Sequence, residues 1–293
     1  MTALVPSQRY NEGRGHQHRT LTDWARQMLR VVQQWCPGRQ LIVVDNAYSV
    51  VRWLSDLQQG HQITVITRLR LDAPLYELAP ERQAGQKGRT RHRLPNLASL
   101  VNDSETRWVS MRVHRWYRET DWEVEIVSQT AVWYNAGLPP LPIHWVLVRD
   151  PKGKFATQAL LCTDLLLSPA QILDHFVQRW QLEVTFKKVQ AQVGIESQRQ
   201  WTDLAIARTA PATLGLFSLV TLLAYERCQG HELWVRLAAW HDKTLPTFVD
   251  ALAQPRRALR KVPTFQRSAP GREMFQVPLD FIERLADALC YAA

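Results

Sequence analysis

Cysteine is scarce in this sequence, and what there is lies scattered. Cys36, Cys162, Cys228 and Cys290 make no CxxC or Cys/His pattern, which excludes a short zinc motif and argues against a disulfide framework. Buried or neutral thiols are expected instead. Long apolar runs are missing too. No stretch of 18 apolar residues occurs, and the longest run, around residues 214–224, is interrupted by Ser218 and Thr221. Residues 1–9 hold no apolar segment of signal-peptide length. The expectation is a cytoplasmic protein without a membrane partner. Acids are outnumbered, 27 against 36 Lys and Arg, for a formal net charge of +9. That balance favours a polyanionic partner, with nucleic acid ahead of a membrane surface.

What is present is ordinary folding material. Hydrophobic residues make up 46% and charged residues 22% of 293, enough for one large core or one domain with a substantial insertion. Residues 1–18 read as loop, with Pro6, Asn11, Gly13 and Gly15 among Arg and His. A helix over residues 20–36 follows, with Thr22 or Asp23 as cap and Trp24, Met28, Val31, Val32 and Trp35 at helical spacing. Pro37-Gly38 stops it. The apolar run 41–44 predicts a strand buried on both faces, ending at Asp45. A helix over 48–59, terminated by Gly60, and a strand over 63–67 complete an α/β rhythm.

After Arg70 the pattern changes. Residues 81–93 carry Arg82, Lys87, Arg89, Arg91 and Arg93 against the single acid Glu81, which reads as a basic loop. Strands are expected over 109–116, 122–132, 143–148 and 156–163, separated by turns such as Asp150-Pro151-Lys152-Gly153. From Ser168-Pro169, a cap followed by proline at a first helical position, one long helix is expected to about Val193. Helices over 203–225, 232–240 and 279–291 follow, with a basic, proline-punctuated stretch containing Arg256, Arg257, Arg260 and Lys261 before the last.

Two acids draw attention. Asp45 ends a buried strand, the usual place for functional groups in open α/β sheets; its alternative reading is a cap for the next helix. Glu183 shares a helical face with Phe176, Arg179, Lys187 and Gln190. Its alternative is a solvated i,i+4 pair with Lys187. Asp150, 33 residues before Glu183, could complete a D…D…E set, although its surroundings have turn chemistry throughout.

The strings LIVVDNAYS, HFVQRWQLEVTFKKVQAQVGIESQRQW and DLAIARTAPATLGLFSLVTLLA resemble the DDE transposases of bacterial insertion sequences in the insertion-sequence-four-like superfamily. The likeness spans roughly residues 19–225. It implies an RNase H-like α/β catalytic core, residues 19–69 and 168–227, interrupted by a β-rich insertion at 70–167 and followed by a helical basic extension at 228–293. It implies Mg²⁺ (or Mn²⁺) in a two-metal site, with Asp45 resembling the second aspartate and Glu183 the glutamate. In the family's Tyr, Arg, Glu, Lys helix motif, Arg179 and Glu183 match, whereas Phe176 and Gln190 depart from it. The first aspartate belongs on a β-hairpin ahead of the helix at 20–36. Glu12 and Asp23 are the acids before Asp45, so the sequence reads as lacking that piece.

The same resemblance implies double-stranded DNA as partner, both transposon ends and target, a homodimer acting on it, and work at the nucleoid. Arg179, Lys187, Lys188, Arg89, Arg91 and Arg93 are the expected DNA contacts. Trp133 is expected to stack on an unpaired base near a transposon end. Two other readings stay open: an inactive DNA-binding remnant, and a structure-specific nuclease on the same core.

Overall fold

The computed structural model of the chain describes residues 5–61, 63–78, 92–116, 119–197, 199, 202–228, 235, 246–260 and 278–291. Two compact units result, Ala3–Leu182 and a second made mainly of Glu183–Ala293.

The first unit opens with a short helix, α1 (Gln8–Glu12), where loop was expected; Ser7 caps it by accepting from the Tyr10 amide at 3.2 Å. Helix α2 (Leu21–Trp35) lies within the span the sequence suggested, but its cap sits ahead of the expected Thr22 or Asp23. Thr20 is its cap, and Asp23 supports it in return by accepting from the Thr20 amide at 3.0 Å. This reciprocal box satisfies two orphan amides of the first turn. Bonds from Thr20, then the nearby Arg26 and Arg19, hold the Asp23 carboxyl below its ordinary range.

There follow β1 (Ile42–Val44), α3 (Val51–His61), β2 (Thr64–Leu69), β3 (Leu75–Tyr76), α4 (Leu97–Asn102), β4 (Val109–Trp116), β5 (Glu119–Trp133), β6 (Leu141–Arg149), β7 (Gln158–Cys162), α5 (Pro169–Gln178) and α6 (Trp180–Val193). The strands make one seven-stranded sheet in the order β1-β2-β7-β6-β5-β3, with β4 also on β5. The pair β1–β2 is parallel, and the pairings of β2–β7, β7–β6, β6–β5, β5–β4 and β5–β3 are antiparallel. Strands of the segment 70–167 therefore extend the sheet that β1 and β2 begin. The architecture is mixed α/β and consistent with an RNase H-like domain.

Strand alternation sorts the core onto two faces. Val43, Val65, Leu161, Trp145 and Trp133 point to one face, where Val51, Trp53, Leu54 and Leu57 of α3 cover them. Ile42, Val44, Ile66, Leu160 and Cys162 point to the other, under Ile172, Leu173, Phe176 and Val177 of α5. The continuous apolar run of β1 thus serves both faces, as its composition implied. Because β1 ends the sheet, its residues stay half-buried rather than fully enclosed. All four cysteines are free, and burial pushes the Cys162 thiol up to about 12, so it is neutral.

Ser168 caps α5 as expected: it accepts from the Gln171 amide at 3.3 Å, and Gln171 accepts from the Ser168 amide at 2.9 Å. The single long helix is a correction. The chain interrupts it at Arg179, whose amide bonds the Phe176 carbonyl at 3.2 Å while its own carbonyl takes the Leu182 amide at 3.0 Å. These three-residue steps tighten one turn between α5 and α6.

In the second unit, α7 (Asp203–Arg227), α8 (Phe248–Arg260) and α9 (Leu279–Tyr291) pack in sequence. Phe217 stacks on Phe248 at 4.4 Å between centroids, and Arg257 pairs with Asp287. Asp250, fully buried, accepts from the Thr247 amide at 2.7 Å and the Tyr291 hydroxyl at 3.2 Å. Arg256 and Arg257 are helical in α8 rather than part of an irregular tail. The helix expected at 232–240 falls almost wholly outside the described residues. By length and composition alone, α7 could cross a membrane, with a mean hydropathy of 1.5 over its apolar window. The serine and threonine that interrupt its apolar run donate instead to carbonyls one turn back, Ser218 to Leu214 and Thr221 to Phe217.

The Ser168 cap gives a stability test. Ser168→Ala is expected to destabilise the chain by about 1 kcal/mol, read as a lower urea midpoint at unchanged slope.

Candidate active site at the carboxyl end of the parallel strand pair

Asp45 follows β1 directly and remains in the ladder: its amide donates to the Ile66 carbonyl at 3.0 Å. Its carboxylate is divided between two tasks. Oδ1 accepts from the Ala47 amide and from the Tyr48 amide, the latter at 2.8 Å. That closes a turn before α3, so Asp45 shapes the strand exit without capping the helix, which starts at Val51. Oδ2 is shielded from solvent and has no hydrogen-bond partner among the described residues.

A shielded carboxylate oxygen without a donor is costly, because it loses its water and gains no bond. A hard divalent cation prefers oxygen ligands of this type. The Asp45 carboxylate therefore fits such an ion. Among the described residues no three His, Cys, Asp or Glu side chains gather into a metal cluster.

The other acids weighed from the sequence are differently employed. Asp23 sits on α2 in the capping box already described. Asp150 is 6% exposed and spends both oxygens on its own turn, Oδ1 accepting from the Lys152 amide at 3.0 Å and Oδ2 from the Lys154 amide at 2.6 Å. The turn carries the Lys154 ammonium to 4.3 Å from the Trp122 ring centroid, a cation–π contact.

Glu183, in the first turn of α6, is exposed and begins the second unit. Lys187 is exposed and Lys188 half-buried on the same helix. Arg179 is half-buried at the α5–α6 junction, its guanidinium carbon 5.8 Å from the Phe176 ring centroid. Phe176 itself is 2% exposed, a core residue whose ring is spent on packing. Gln190 donates to Glu196 at 3.1 Å.

Of the basic loop, Arg93 is exposed and bridges to Tyr76 across antiparallel backbone, with Glu77 donating to the His92 carbonyl at 3.0 Å. Arg89 and Arg91 lie outside the described residues. Trp133 is a correction. It closes β5 at 8% exposure, registered between Leu75 and Leu141 inside the core. The alternation of β5 turns it inward, so its ring is not presented for stacking on a base.

The sequence pointed to none of the neighbours of Asp45. Thr67 of β2 is one: the ladder sets it beside Asp45, it is fully buried, and its hydroxyl has no partner among the described residues. A threonine in a short, largely buried strand gives no signal until the register is known.

Residues 3–131 match the family model described as DDE superfamily endonuclease. The match includes Asp45, Thr67 and the basic loop, and stops short of Trp133, Arg179 and Glu183. It supports a DDE-type nuclease or transposase domain with a DNA substrate, and domains of this kind generally use divalent metals. No curated protein matches the chain.

Asp150→Ala is expected to destabilise the fold by about 2 kcal/mol, through loss of two bonds to a carboxylate, while leaving Mn²⁺ binding by the chain unchanged. Calorimetric titration after a urea melt separates the two effects. Loss of Mn²⁺ binding would make Asp150 a ligand.

Proposed function

We propose that the chain belongs to the catalytic part of a DNA transposase and contributes two of its metal ligands to metal-dependent strand cleavage and strand transfer at the ends of an insertion sequence of the insertion-sequence-four-like group. The observation that carries this reading is Asp45: a strand-end carboxylate with one oxygen fixed by backbone amides and the other shielded and unpartnered, inside the segment matched to DDE endonucleases.

Asp45 and Glu183 are the proposed metal ligands, for Mg²⁺ or Mn²⁺. When bound, paired metals of this kind supply charge stabilisation for the attacking and leaving oxygens at phosphorus. The chain's own contribution is positioning. The turn at Asp45 fixes the carboxylate plane through two amides, so little reorganisation is needed on binding. Arg179, Lys187, Lys188 and Arg93 hold backbone phosphates, together with Arg89 and Arg91. Each neutralised phosphate adds salt-dependent, sequence-blind affinity. Double-stranded DNA is the partner, with a homodimer as the acting form at the nucleoid.

An inactive remnant would share the DNA binding and lack the metal-dependent step. A structure-specific nuclease would share the chemistry and ignore the element's ends.

The chain is expected to bind duplex DNA with affinity falling steeply between about 50 and 200 mM salt. Replacing Lys187 and Lys188 together with alanine is expected to lower the log–log salt slope by about 2. Asp45→Asn and Glu183→Gln are each expected to weaken Mn²⁺ binding by the chain about 10-fold or more while retaining DNA binding. Mn²⁺ binding that is unchanged in Asp45→Asn contradicts the assignment.

A further inference from the structure

The parallel register of β1 and β2 pairs Val43 with Val65 and Val44 with Ile66. The Asp45 amide bond to the Ile66 carbonyl carries the ladder one residue further, which places Asp45 opposite Thr67. Registered residues of adjacent strands point to the same sheet face, about 4.8 Å apart along the hydrogen-bonding direction. Val43 and Val65 lie on the α3 face, so Asp45 and Thr67, two residues on in each strand, lie there too. On its other side Thr67 is registered with Leu161 of the same cluster.

The surroundings of Thr67 are apolar. Val65 and Leu69 flank it along β2 on that face, and a valine would match the site in shape. Thr67 is fully buried, and its Oγ1 has no hydrogen-bond partner among the described residues. A buried hydroxyl in that condition has given up water and gained no bond in return. The neighbouring Asp45 Oδ2 is in the same condition. Two orphaned oxygens on facing residues of one rung, a carboxylate oxygen and a hydroxyl, are the kind of first ligands an oxygen-seeking divalent cation takes.

We propose that Thr67 is a second oxygen ligand of the divalent-cation site headed by Asp45, coordinating the ion through Oγ1. The inference rests on the reading of Asp45 as a metal ligand and extends it to a residue outside the carboxylate set. It also accounts for a hydroxyl placed where packing alone favours valine.

The test uses the full chain and metal binding, without DNA. Mn²⁺ affinity is measured by calorimetric titration for the unaltered chain, Asp45→Asn, Thr67→Val, Thr67→Ser and Thr67→Cys, with thermal melts recorded alongside. Thr67→Val is expected to melt no lower than the unaltered chain and to bind Mn²⁺ about 10-fold or more weakly, with Thr67→Ser retaining binding. Thr67→Cys is expected to shift preference from Mn²⁺ toward Cd²⁺, because a thiolate at a ligand position selects the softer ion. Mn²⁺ binding unchanged in Thr67→Val but lost in Asp45→Asn overturns the role of Thr67 and leaves the site standing. Unchanged metal preference in Thr67→Cys overturns direct coordination. Binding that is absent in the unaltered chain, or unaffected by Asp45→Asn, overturns the reading of Asp45 and the inference with it.

Discussion

The hydrogen bond from the Asp45 amide to the Ile66 carbonyl is the constraint on which the candidate site depends. It holds the last rung of the parallel β1–β2 pair and decides which way the Asp45 side chain faces. Everything upstream serves that rung. Val43 packs under α3 and Val44 under α5, so the short strand is gripped on both faces, and β2 is braced in turn by β7 through four registered residues, Ile66 to Leu69. A slip of one residue would exchange the faces of Val43 and Val44 and turn Asp45 toward α5. The shape of the core and the position of the carboxylate are thus one specification.

The chain disposes of its acids in more than one way. Asp23, Asp150 and Asp250 each accept from backbone amides and finish with their oxygens engaged, in a helix cap, a turn and a buried cap. Those bonds lower the cost of keeping a charge at a shielded place. Asp45 follows the same logic with one oxygen and breaks it with the other.

Much of the framework was legible in local pattern. The strand at Val109–Trp116 and the helix at Leu279–Tyr291 lie where alternation and helical spacing put them, and Ser168-Pro169 opens α5 through the chemistry its residues announce. Asp45 was legible because the end of an apolar strand is a local feature. What failed depends on partners distant in sequence. Trp133 looked available because nothing nearby reveals that β3 and β6 both lie against it. The two-residue strand Leu75–Tyr76 exists through pairing alone. The break at Arg179 lies in a sequence with good helical spacing on both sides, and the tightened turn is a backbone event that side-chain periodicity does not record. Thr67 was invisible for the same reason as Trp133: its neighbour across the ladder is 22 positions away, at a register fixed only by folding.

The most direct test of the account is to map where a bound divalent ion lies along the chain. Fe²⁺ replaces Mg²⁺ at oxygen sites, and with ascorbate and peroxide it cuts the backbone beside the place it occupies. The account predicts fragments ending near residue 45 and near residue 67, suppressed by excess Mn²⁺ and absent in Asp45→Asn. Cuts confined to other segments, or cuts near residue 45 that persist in Asp45→Asn, would contradict it.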